Sequence, residues 1–501
     1  SGQILFKGFF REVPAFLIPG DLTAYPGHEF LQALSGKAGS FHGFPSRFCF
    51  HLQAYGARKQ DAPRKITARH GQKILWEKPV PSFFPSLPEN SALAHEGRRL
   101  RSDRHPENGV KIMNRRSLLK SLGAAAGFTA LGAGGAALFL HQENFGALPD
   151  EEEIRRFAAS PHFRDGRFIN LVPTPMSTGE GGTIRLWADF LLSKKTGTVP
   201  ASPLPVSQIN PASLPADRDT LQWYGHSSFF LRLHSLNILA DPVFSLHASP
   251  VSFTTGAFPG TAVVQASDMP AIDWLFLSHD HWDHLDFPTI SALRPKVRNV
   301  ACGLGTGAHL RFWGFDRARI HELDWHQSLD AGNGVSLTFL PGRHFSGRGL
   351  TRDKSLWGGM LLRSPDFSFL FSGDSGYGPH FRETGRQYGP VDLALLDCGQ
   401  YDKNWHYVHM FPEEACQAAE ELGARHFMPV HIGKFSIAYH TWYDPFRRAL
   451  KASEGRAYQL LTPIIGQAVP LSKHIAPFPA WWEPLVKDGA ENGPERQKRQ
   501  S

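Results

Sequence analysis

The sequence predicts an α/β protein in which two mixed sheets lie face to face, with helices packed outside them. Three observations predict it. From Thr220 onward, short strand-length apolar runs recur between Gly, Pro, Asp and His residues. Helical segments fall between those runs, as at Pro412 to Leu422, which opens on proline and is closed by Gly423. Several of the runs also end in a side chain able to bind a metal, the arrangement expected where rigid strand ends carry a site.

The whole chain has 501 residues and 41% apolar content, enough for one large domain or two to three smaller ones. Its formal charge of +7 is unevenly placed. Residues 1–112 hold 16 Lys+Arg against 9 Asp+Glu, leaving 37 of each for the remainder, which therefore gives no electrostatic argument for nucleic acid. The four cysteines, Cys49, Cys302, Cys398 and Cys416, are too scattered for a disulfide framework or a thiolate zinc site.

Residues 1–112 show no sustained helical or strand periodicity and are expected to be an upstream, non-native or disordered segment; a genuine N-terminal domain is the alternative. The first methionine, Met113, opens Asn114-Arg115-Arg116-Ser117-Leu118-Leu119-Lys120 and a Gly/Ala/Leu-rich run to Leu140. Residues 113–141 thus resemble a twin-arginine export signal, or an uncleaved membrane anchor. The expected location is periplasmic, or attached to the outer face of the inner membrane.

Residues 142–217 read as an extended arm. It begins with a short helix whose acidic first turn, Asp150 to Glu153, suits a helix N-terminus. A second helix is expected over Thr183 to Leu192. Residues 218–470 are expected to form the main domain, the one that would carry any catalytic site, in which Leu221 to His226 and Ser228 to Leu233 pair as strands before Ile238-Leu239-Ala240 and the turn Asp241-Pro242. Further strands are expected at Trp274 to Leu277, Val335 to Leu340, Phe367 to Phe371, Leu393 to Leu396 and Phe427 to Val430. Residues 471–501 are a C-terminal tail: Pro477 to Trp482 either packs on the body or meets a membrane interface, and Glu483 to Ser501 is expected to be disordered.

Chemistry concentrates after the apolar run Trp274 to Leu277. His279-Asp280-His281-Trp282-Asp283-His284 places three imidazoles and alternating carboxylates in six positions, a density with few structural uses. Downstream, Phe339 to Arg343 leads into His344, Phe369 to Gly373 into Asp374, and Met428 to Val430 into His431. Seven candidate ligands result: His279, His281, Asp283, His284, His344, Asp374 and His431. Two divalent ions about 3.5–4 Å apart could share them, one carboxylate bridging. Imidazole and carboxylate without thiolate suit zinc, with iron or manganese as substitutes.

His279-x-His281-x-Asp283-His284 with later His, Asp and His resembles the metallo-β-lactamase fold, an αββα sandwich. Tyr224-Gly225-His226-Ser227-Ser228-Phe229, Asp241-Pro242-Val243-Phe244-Ser245, Glu322-Leu323-Asp324-Trp325, Phe371 to Tyr377, Pro412-Glu413-Glu414-Ala415 and Val430-His431-Ile432-Gly433 are similar to the branch of N-acyl-phosphatidylethanolamine-hydrolysing phospholipases D. The resemblance implies one ion on His279, His281 and His344, a second on Asp283, His284 and His431, and Asp374 between them. It implies a metal-bridging hydroxide, oriented by Asp283, attacking phosphorus in a membrane phospholipid. The catalytic group would be Asp283, His284 and Asp374. His226 and Asp241 would support the ligands, or are ordinary turn residues; His409, or its neighbour His406, would stand at the substrate pocket.

No Lys or Arg occurs between Asp241 and Asp268, so a grip on an anionic headgroup must come from elsewhere. Arg343, with Arg348, Arg352 and Lys354, is the candidate, unless these form a solvated charged loop. Two rivals stay open: a hydrolase of the same fold acting on another ester, lactone or soluble phosphodiester, and a non-catalytic metal-binding protein.

Overall fold

The computed structural model describes residues 134–179 and 196–491, with side chains to 486. The upstream segment, most of the signal-like stretch, Cys49 and the expected 183–192 helix lie outside the described residues.

The arm opens with α1 (Glu151–Phe157). Its N-cap is reciprocal: the Asp150 carboxylate accepts from Glu153 N at 2.9 Å, and Glu153 Oε2 accepts from Asp150 N at 3.2 Å. Glu153 is buried and paired with Arg311, which ties this end of the arm to the body. A hairpin of β1 (Phe163–Arg164) and β2 (Arg167–Phe168) follows, its phenylalanines packed edge-on and tilted against Phe157 at 5.8 and 5.5 Å.

The first sheet starts as an antiparallel meander of β3 (Thr220–Trp223), β4 (Phe229–Leu233) and β5 (Leu236–Ala240). It continues in parallel through β6 (Ile272–Leu277), β7 (Val297–Gly303) and β8 (Ile320–Leu323), with α2 (Phe287–Leu293) and α3 (Gly307–Phe312) as crossovers. The second sheet repeats the plan. β9 (Ser328–Gly332), β10 (Val335–Pro341), β11 (Gly358–Arg363) and β12 (Ser368–Phe371) are antiparallel. Parallel β13 (Leu393–Asp397), β14 (His426–Val430) and β15 (Gln459–Leu460) come next, linked through α4 (His380–Tyr388), α5 (Pro412–Glu421) and α6 (Asp444–Ala452). β16 (Ala468–Pro470) then returns to the first sheet beside β3.

Side-chain alternation explains the layering. In β6, Trp274 and Phe276 enter the core between the sheets, while Leu275 and Leu277 join Ile290 and Leu293 of α2 on the outer face. In β13, Leu393 and Leu395 enter the same central core, while Ala394 and Leu396 meet Ala415 and Ala419 of α5. Strands buried on both faces read as continuous apolar runs, which is why they were visible in the sequence. The architecture is the expected αββα sandwich.

The tail departs from expectation. Trp482–Glu491 forms α7, where disorder was predicted from Glu483 onward. Trp482 is fully buried and stacks on Phe446 at 5.0 Å, and Arg447 holds Glu483 through a two-pronged ion pair at 2.6 and 2.7 Å. The Trp481-Trp482 pair therefore packs on the body. Among the described residues no helix is long and apolar enough to cross a membrane.

Candidate metal centre

The site lies where strands from both sheets end. Three of its residues, His226, Asp241 and His431, have positive φ of 54°, 40° and 65°. Such conformations are costly for residues with a Cβ and persist only where surrounding structure holds them. Here the two sheets are joined directly: His226 N donates to Ile432 O at 2.7 Å, and His431 N donates to His226 O at 3.0 Å. These bonds carry the two halves of the site on one backbone frame.

All seven predicted ligands converge. One group brings together donor atoms of His279, His281 and His344, and another those of Asp283, His284, His431 and His226, each within a 4.8 Å span. Asp374 groups with His279 and His284, one residue from each set. Its Oδ2 lies 3.1 Å from His284 Nε2, 3.8 Å from His279 Nε2 and 3.7 Å from His344 Nε2, while its Oδ1 lies 3.2 Å from His431 Nδ1.

The donors fit a divalent cation. His279 Nε2, His284 Nε2 and Asp374 Oδ1 are buried without a hydrogen-bond partner, although buried polar atoms are ordinarily paired. Charge agrees with geometry. Burial drives the imidazoles of His279, His344 and His431 well below the ordinary histidine range, helped by neighbouring rings, and brings His281 down to about 4. Neutral imidazole is the ligating form. Burial also disfavours a charged His284, but Asp374 and Asp283 outweigh it and raise that pKa well above normal. Three carboxylates, with Asp241, thus favour positive charge at one point.

The surrounding groups orient these donors. Asp241 Oδ2 accepts from His284 Nδ1 at 2.7 Å and from Ser278 Oγ at 2.5 Å, and its Oδ1 accepts from Ser278 N at 2.8 Å. His226 Nε2 stands 2.8 Å from Asp283 Oδ2. His344 Nδ1 bonds to Val408 O at 2.9 Å, and the Asn170 amide grips the His344 backbone on both sides, at 2.7 and 3.0 Å. Ligand-orienting contacts of this kind fix tautomer and ring direction.

His409 and His406 lie in different surroundings. His409 stacks on His431 with centroids 5.0 Å apart, whereas His406 turns outward to Glu414 at 3.2 Å. His409 Nδ1 is held 2.9 Å from Asp397 Oδ2, and a His409 nitrogen reaches the group formed with His344 and Asp374. Burial opposes a charged His409, but Asp397 prevails and raises its pKa. Sequence reasoning missed Asp397, although it ends β13 just as Asp374 follows β12. It also missed Asn170 and Ser278 and assigned no role to Asp280, which is buried within the metal loop and accepts from Gly347 N at 2.6 Å and Ser355 Oγ at 2.8 Å.

Arg343 is not placed as a headgroup grip. Its Nη1 donates to Tyr377 O at 2.9 Å, Nη2 to Pro173 O at 2.8 Å and Nε to Thr174 Oγ1 at 3.1 Å, so the guanidinium fastens the arm. Arg348 is buried, donating to the carbonyls of Asn144, Asp280 and Leu285, and Lys354 donates to Gly166 O at 2.6 Å.

Residues 236–432 match the beta-lactamase superfamily domain. Over 369 residues the chain is 37% identical to an uncharacterised protein of Mycobacterium tuberculosis, covering 72% of this chain and 99% of that one. Over 241 residues it is 30% identical to N-acyl-phosphatidylethanolamine-hydrolyzing phospholipase D 1 of Caenorhabditis elegans, covering 46% and 68% of the two chains. It is also 29% identical over 221 residues to a UPF0173 metal-dependent hydrolase of Nitratidesulfovibrio vulgaris, covering 43% and 81%. The seven converging residues all fall within 236–432, and the arm lies outside it.

Proposed function

The chain belongs to the beta-lactamase superfamily and is a metal-dependent hydrolase of the metallo-β-lactamase fold, and from that premise we propose that it is a binuclear zinc phosphodiesterase acting on an N-acyl-phosphatidylethanolamine-like phospholipid. The observation that carries the two-ion reading is Asp374, whose carboxylate groups with one histidine of each donor set. His279, His281 and His344 would hold one ion, and Asp283, His284 and His431 the other. When bound, such ions supply a hydroxide at neutral pH and counter-charge for phosphoryl oxygens.

The residues of the chain divide the remaining work. Asp283, fixed by His226, orients the attacking oxygen. His409, held and kept protonatable by Asp397, gives a proton from its remaining ring nitrogen, Nε2, to the departing alkoxide. The P–O bond on the ethanolamide side breaks, leaving phosphatidic acid and an N-acylethanolamine. The phospholipase D reading draws its support from the name of the worm relative, 30% identical to this chain over 241 residues.

The zinc-loaded full chain, incubated with N-acyl-phosphatidylethanolamine in vesicles, is expected to release both products, measured by mass spectrometry. Absence of phosphatidic acid alongside cleavage of a generic aryl phosphodiester would favour a hydrolase of the same fold with another substrate. No turnover of either would favour the non-catalytic metal-binding reading.

A further inference from the structure

The hairpin β1–β2 carries two arginines in direct opposition. Arg164 pairs with Arg167 across the turn Asp165-Gly166, and Phe163 pairs with Phe168. Asp165 and Gly166 have φ of 51° and 74°, the geometry of a tight two-residue hairpin turn. The pleat sends Phe168 into the core and leaves Arg164 and Arg167 exposed on the other face.

Like charges directly opposed on neighbouring strands repel, with Cβ atoms about 4.5–5.5 Å apart. Proteins usually relieve this with a carboxylate. Among the described residues, no hydrogen bond or ion pair engages either guanidinium. Asp165 and Asp353 line the same cleft without forming an ion pair with the arginines; Arg167 acts on Asp353 only through space, and the Asp353 carboxylate accepts from the Ser346 amide at 3.4 Å.

The position gives this pair a use. Both arginines line a cleft of about 760 Å³ whose wall includes His344 and Phe345. The hairpin is fixed in place: Phe168 N donates to Asp353 O at 2.8 Å, Lys354 Nζ to Gly166 O at 2.6 Å, and two residues later Asn170 grips His344. A backbone held this firmly presents two forked donors from a fixed position, leaving only their side-chain rotamers to be ordered on binding. The anion grip missing from residues 241–268, and not supplied by Arg343, is therefore available from the arm.

We propose that Arg164 and Arg167 form a subsite for a phosphate-class anion in the cleft whose wall includes His344. Lipid headgroup phosphate and free orthophosphate share the chemistry that two guanidinium forks recognise. For its place in catalysis the inference rests on the phosphodiesterase reading, whereas anion binding at the arginines stands apart from it.

Isothermal titration of the metal-loaded full chain separates the two. Orthophosphate and soluble dihexanoyl phosphatidic acid are titrated in turn into wild type, Arg164→Gln/Arg167→Gln, Arg164→Lys/Arg167→Lys and the exposed control Arg218→Gln. We expect one binding site to be lost, or weakened roughly tenfold or more, in the glutamine variant. The lysine variant should recover part of it, and the control should match wild type. Loss seen only with phosphatidic acid assigns the subsite to a lipid headgroup; equal loss with orthophosphate assigns it to the free anion. A wild-type chain that binds at the arginines yet hydrolyses no phosphodiester would fail the functional reading and leave the subsite standing. Identical site number and affinity in wild type and glutamine variant would overturn the proposal. Unchanged thermal melting of the variants verifies that folding is not the cause.

Discussion

At Asp241 one carboxylate sets the ring of His284, accepting from its Nδ1 at 2.7 Å while also taking both the amide and hydroxyl of Ser278. Replacing it with alanine removes the group that aims Nε2 and leaves Ser278 and His284 donors unpaired. Asp241→Ala should weaken metal retention by about 10–100-fold, measured by chelator competition; retention equal to wild type would refute the orienting role. His409 calls for a different signature. His409→Ala should lower kcat by about 10²–10⁴-fold with metal content unchanged, because proton transfer is lost while the donor sets stay whole. Asp397→Asn should move the pH profile in the same assay, since Asp397 is what raises the His409 pKa. His406→Ala should leave turnover unchanged, as that ring faces Glu414.

Among the elements, strands and their ends were the readable part. β6, β10, β12, β13 and β14 are mostly apolar and buried, so local composition marks them, and His279, His344, Asp374 and His431 come within three residues of where four of them stop. Asp397 obeys the same rule at the end of β13 but has no histidine or glycine beside it to draw notice. The contacts of the arm were unreadable for another reason. Asn170 and Arg343 act through partners 174 and 170 residues away, so no local pattern encodes them. Tail helix α7 was hidden by its charged flank, while its stability comes from Trp482, Leu485 and Val486 meeting the core. Asn170→Ala should therefore lower the affinity of the His279, His281 and His344 ion without melting either sheet, a split visible by metal titration beside circular dichroism. Phe371, wholly buried between Phe229 and Phe276, sits at the sheet interface instead. Phe371→Ala should cost about 3–5 kcal/mol of unfolding free energy in denaturant titration.

For the molecule as a whole, the buried histidines make the stability of the metal-free chain depend on pH. His226, His279, His281, His344 and His431 have folded pKa values below the ordinary 6.5, so the unfolded chain takes up more protons once the pH falls below that value. Asp374, raised to about 7, works in the opposite direction, as do His284 and His409, whose raised pKa values favour the folded chain as the pH falls toward 6.5. The thermal midpoint should fall as pH is lowered from about 6.5 toward about 4. A midpoint that rises over this interval would contradict the assignment. Metal binding to the folded state alone should add about 4 kcal/mol at a free concentration 1,000 times the dissociation constant. Export is a separate proposal, motivated by Arg115-Arg116 ahead of the apolar run. A reporter fused to residues 113–148 should leave the cytoplasm only by the twin-arginine route, and Lys-Lys at 115–116 should abolish it. One chain is expected to hold two ions through its seven converging side chains. Counting metal per chain by plasma mass spectrometry, in the purified full chain dialysed against zinc and then buffer, tests it most directly. Two ions per chain, falling to one or fewer in Asp374→Ala, is the predicted result; one ion or none in the wild-type chain would contradict it.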